Sequence, residues 1–64
     1  MQKDIYRLTL DENGEESIVD FTAQEDAADA LAKAKRRATV FSAKVERYSE
    51  HMDRWTRVHA WERS

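Results

Sequence analysis

The 64-residue chain has no cysteine, no proline and a single glycine. Without cysteine there is neither a disulfide framework nor a thiolate zinc site, and nothing points to an oxidising compartment. No apolar run exceeds three residues, too short for a membrane span or the apolar stretch of a signal peptide. No glycine-rich loop exists to cradle a phosphate, and Ser17, Ser42 and Ser49 lack the pattern of a nucleophile elbow. His51 and His59 stand too far apart in sequence to share a metal as a local pair. The run Asp11-Glu12-Asn13-Gly14 starts like a calcium loop, but its twelfth position would be Thr22, which offers no bidentate carboxylate. The expectation is a non-enzymatic protein with no metal and no cofactor, without a membrane segment and cytoplasmic.

What the chain does have is charge: 38% of its residues are Asp, Glu, Lys or Arg, yet the formal sum is −2. Its length allows one domain, residues 1–64, with a core that supplies only ~3–5 kcal/mol without a staple. Self-association or a large partner is therefore in keeping with its size.

Asn13-Gly14 is the strongest local signal, because both central residues of a type I′ turn need positive φ. Strands are expected over Lys3–Glu12 and Glu15–Phe21. A two-residue loop fixes the register: Tyr6 opposite Phe21, Arg7 opposite Asp20, Leu8 opposite Val19 and Leu10 opposite Ser17. Thr22-Ala23-Gln24-Glu25 then matches a capping box with Thr22 as N-cap. Ala27, Leu31, Ala34 and Ala38 recur on one face of the helix that follows, expected to end near Arg37 or Ala38. Acids fill its first turns and bases its last, as the helix macrodipole favours.

The final third admits two readings. Phe41, Val45, Tyr48, Met52 and Trp55 prolong the apolar series, as if an N-terminal hairpin were followed by one long helix. Thr39–Tyr48 and Trp55–Glu62 also alternate as strands around a polar loop over Ser49–Arg54. Their β-branched and aromatic residues favour strands, and a forty-residue helix would lie far above the usual ~10–14. The expected fold is α+β: a ββαββ domain in which one helix covers one face of a four-stranded antiparallel sheet. A right-handed crossover gives strand order 2-1-3-4. Tyr6, Leu8, Leu10, Val19, Phe21, Phe41, Ala43, Val45, Val58 and Ala60 are expected on the covered face. Ile5, Arg7, Ile18, Val40, Lys44, Trp55, Arg57, His59 and Trp61 are expected on the open one.

The charges are segregated along the chain. Between Arg7 and Lys33 lie Asp11, Glu12, Glu15, Glu16, Asp20, Glu25, Asp26 and Asp29, eight of the thirteen acids, and no base. The register sets Glu12 opposite Glu15 and Asp11 opposite Glu16, stacking like charges on one ribbon tip at a cost. Acidic tips also serve solubility. The functional reading is that these eight residues present phosphate-like charge to a basic protein surface. An alternative interface mixes cations with rings: Arg36, Arg37, Trp55, Arg57, His59 and Trp61, as single-strand nucleic-acid platforms do. Direct nucleic-acid binding is the weaker of the two, since net positive charge is lacking. A homodimer through the tryptophan-bearing face is a third possibility.

With Asp11 to Asp29 as its concrete carrier, the chain resembles small phage-encoded inhibitors, anti-CRISPR proteins among them, which are compact, cysteine-free and charge-segregated. The resemblance implies a protein that binds a bacterial defence complex and obstructs its nucleic-acid site. It also implies action in the bacterial host cytoplasm. It carries over no individual functional residue.

Overall fold

A computed structural model describes residues 4–63. The elements are β1 (Ile5–Glu12), β2 (Glu15–Phe21), α1 (Gln24–Lys35), β3 (Val40–Ser49) and β4 (Arg54–Glu62). All four strands form one antiparallel sheet in the order β2-β1-β3-β4. The ββαββ fold and its strand order are as the sequence led us to expect, and the long helix does not form. Lys3, the expected start of the first strand, lies outside the described residues.

The β1–β2 hairpin follows from its turn. Asn13 has φ 55° and Gly14 φ 81°, as a type I′ turn requires. The register is the expected one, from Tyr6↔Phe21 to Glu12↔Glu15. Nothing lies within 4 Å of a Cβ built on Gly14, so φ rather than space demands glycine there.

The helix differs at both ends. Its N-cap is Ala23, with no side-chain cap hydrogen bond, so the expected Thr22 capping box does not form. The Ala27 amide donates to the Ala23 carbonyl, the first bond of the helix ladder. At the other end α1 stops at Lys35, and Ala38 is exposed beyond it. The Arg63 guanidinium donates to the carbonyls of Lys35, Arg37 and Val40, at 3.3, 2.8 and 3.0 Å. The Lys35 carbonyl is one of the last of the helix, which need donors from outside it, and the Arg37 carbonyl also accepts the Val40 amide.

The core lies between α1 and the central strands: Ala27, Leu31 and Ala34 pack on Tyr6, Leu8, Leu10, Val40, Ala43 and Val45. Small helix residues let α1 settle on β1 and β3. Edge strand β2 stays less covered, and Val19, expected inside, is 45% exposed.

Two bulges redirect the remaining side chains. Asp11 pairs with Ser42 but Glu12 pairs with Val40, leaving Phe41 as an extra residue. Val40, expected on the open face, is fully buried, and Phe41, expected inside, is half exposed. Likewise Val45 pairs with His59 and Glu46 with Arg57, leaving Val58 as the extra residue of β4. An added residue reverses the alternation beyond it. Trp61 therefore stands beside Ala43 and packs on the core, while Ala60 stands opposite Lys44 and is exposed. His59 lies opposite Val45 rather than on the open face, although it remains solvent-exposed.

Candidate interaction surfaces

Among the described residues nothing covers the face turned away from α1. Its side chains form rows across the sheet, read directly from the register. At the hairpin tip the row is Glu16, Asp11, Ser42 and Glu62. Next come Ile18, Thr9, Lys44 and Ala60. The third row is Asp20, Arg7, Glu46 and Arg57, whose charges alternate across all four strands. The last is Ile5, Tyr48 and Trp55.

The ring contacts of this face and the Arg7–Asp20 ion pair lie in the last two rows. Arg7 Nε donates to Asp20 Oδ1 at 2.9 Å, and its guanidinium lies 4.4 Å from the Trp55 ring centroid. This hydrogen bond holds the Asp20 carboxyl below its ordinary range and raises the Arg7 guanidinium. The Tyr48 ring sits 5.2 Å from Trp55, tilted by 50°. Its hydroxyl donates to Asp53, which pushes the phenol above its usual value. Among the described residues Arg57 forms no ion pair. Toward the tip, a shallow depression of about 580 Å³ is lined by Thr9, Asp11, Glu16, Lys44, Arg57 and Glu62, among others. Asp11 Oδ1 is buried there and has no hydrogen-bond partner among the described residues.

The acids predicted as one surface divide into three groups. Glu12 is tied down: Arg37 Nη2 donates to it at 2.6 Å, and Thr39 donates to its other oxygen. The ribbon tip thus has a cation after all, brought by the segment that follows α1. Asp20 is held by Arg7, and Asp11 is half-buried. Glu15, Glu16, Glu25, Asp26 and Asp29 remain exposed, with no ion pair among the described residues. Even these do not form one cluster. β2 runs from the tip to the start of α1, so its length, ~20 Å at ~3.3 Å per residue, separates Glu15 and Glu16 from Glu25 and Asp26.

The alternative basic and aromatic interface is split more completely. Trp55 and Arg57 are on the bare face, and Trp61 is on the helix side, where the Arg63 guanidinium lies 5.0 Å from its ring. Arg36 caps the end of α1, and Arg37 is engaged with Glu12. The roles of Arg63 and Arg37 escaped sequence reading, because each acts on a segment distant in the chain. The Arg7–Asp20 pair was legible from the hairpin register alone.

Among the described residues no group of three or more His, Asp or Glu side chains is placed to hold a metal, and no helix is long and apolar enough to cross a membrane. Comparison with protein-family models, curated proteins and solved structures gives no match.

Proposed function

We propose that the protein is a non-enzymatic interaction module of the small phage-inhibitor kind. It binds a bacterial nucleic-acid-handling defence complex, such as a CRISPR-Cas effector, and blocks the basic nucleic-acid site with carboxylates of β2 and α1. The observation that supports this reading is the set Glu15, Glu16, Glu25, Asp26 and Asp29, exposed and without ion pairs among the described residues, beside the unpaired edge of β2. Uncompensated carboxylates on a rigid hairpin and a helix start need no rearrangement to meet Lys and Arg side chains, and they steer the encounter from a distance.

The test is a mobility-shift assay of target DNA with a panel of purified effectors, with and without the protein. Wild type should displace DNA from its effector. The variant Glu15→Lys/Glu16→Lys/Glu25→Lys/Asp26→Lys should lose at least about a hundredfold in potency, as several like-charge contacts replace attractive ones. Equal potency of the two proteins would sink the acidic-surface reading.

A further inference from the structure

We propose that the bare face of the sheet is the interface of a two-fold symmetric dimer of this chain. The inference is independent of the acidic-surface reading and stands on the third row: Asp20 on β2, Arg7 on β1, Glu46 on β3 and Arg57 on β4. In strand order the signs run minus, plus, minus, plus. Read in the opposite direction they run plus, minus, plus, minus. The row is therefore complementary to its own reversal.

Only one way of stacking two copies face to face performs that reversal. With the two-fold axis parallel to the strands, between β1 and β3, β2 lies over β4 of the second copy and β1 over β3. Asp20 then meets Arg57, and Arg7 meets Glu46, twice each. An axis across the strands at this row would instead set each residue over itself, with Asp20 on Asp20 and Arg57 on Arg57, which like-charge repulsion forbids. The first arrangement keeps the strands nearly aligned, as stacked sheets prefer. It also gives Arg57 a partner.

The neighbouring rows suit the same axis. Ile18, 53% exposed, comes over Ala60, and Ile5 over Tyr48, next to the partly exposed Trp55 ring. The acidic row opposes the dimer, since Glu16 comes over Glu62. It lies four residues, ~13 Å, from the charged row, toward the end where twisted sheets diverge. The molecule extends 39 by 18 by 17 Å, so a rectangle enclosing its broad face is at most about 700 Å² in projection, of the order of the ~800 Å² per partner of a stable interface.

The experiment is sedimentation velocity of the full chain at about 100 μM in low salt. Wild type should sediment at twice the mass of the chain. Asp20→Arg places Arg on Arg57, Arg57→Glu places Glu on Asp20, and each should raise the dissociation constant at least about tenfold. Mixed in equal amounts, the two variants should recover the dimer, because the new Arg faces the new Glu and the unaltered Arg57 faces the unaltered Asp20. Ile18→Glu, at an exposed position outside the core, should also yield monomer, and it serves if a charge-reversal variant fails to fold. A monomeric wild type, dimeric single variants or no recovery on mixing would each overturn the proposal.

Discussion

The two hairpins are built to different tolerances. The first turns through two residues at Asn13-Gly14 and keeps one register along its length. The second turns through four residues, 50–53, with Asp53 at φ 51°, and carries an extra residue at Val58. A tight turn couples strand to strand residue by residue, whereas a longer loop lets the second strand shift and bulge to suit the core. The first hairpin supplies three core side chains from β1, Tyr6, Leu8 and Leu10. From β4 the core receives only the partly buried Val58 and Trp61. The difference teaches that β1 anchors the fold and β4 adapts to it.

Truncating one apolar side chain in each hairpin tests this contrast with the largest effect. Leu8 is 2% exposed at the centre of the sheet, and Leu8→Ala should cost about 3 kcal/mol in urea unfolding, most of what so small a core supplies. Val58→Ala should cost no more than ~1 kcal/mol, since Val58 is only half-buried. Equal losses would contradict the anchoring role of β1.

The turns should differ as well. Gly14→Ala keeps φ positive with a Cβ present and should cost about 1 kcal/mol in the same assay. Asp53→Asn should be nearly neutral, because Asn tolerates the left-handed region and can still accept from Tyr48.

The smallest effect separates the hairpins by pH. Asp20 titrates below its ordinary 3.8 because Arg7 hydrogen-bonds its charged form. Its contribution is complete above that value and is lost as the pH falls through the depressed folded pKa. Tyr48 titrates above its ordinary 10.0 because its neutral hydroxyl donates to Asp53. Its contribution is complete below pH 10.0 and is lost as the pH rises through the elevated folded pKa. Side-chain NMR titrations should show the Asp20 carboxyl changing below its ordinary range and the Tyr48 phenol changing above its own.

The same contrast explains what the sequence made legible. Turn chemistry and alternation were sufficient for the first hairpin, including the Arg7–Asp20 pair, because its interactions are local and periodic. The second hairpin was recognisable as strands, but its two faces were not. A bulge arises from the fit between strands, and alternation alone shows neither Phe41 nor Val58 as the extra residue. Trp61 and Val40 were misplaced for this reason. The Thr22 cap failed because the chain enters α1 one residue later than the capping motif implies. Among the candidate site residues, the uneven charge was plain in the sequence. Its division into engaged and free carboxylates depends on Arg37 reaching Glu12 across 25 positions.

The place of β1 between β2 and β3 also sets a timetable. Its first edge closes with residues at most seven positions past Gly14, within microseconds for an isolated hairpin. Its second edge must wait for β3, with Ile5 meeting Tyr48 at the far end of the ladder. Until then Tyr6, Leu8 and Leu10 lack the cover of β3 and of a docked α1, and one side of β1 remains free to pair with any extended chain. During synthesis that interval lasts as long as the ribosome takes to deliver the rest of the sheet, seconds at ~5–20 residues per second. The β1–β3 seam pairs residues up to 43 positions apart, as at Ile5↔Tyr48, and pairing of such high sequence separation slows folding.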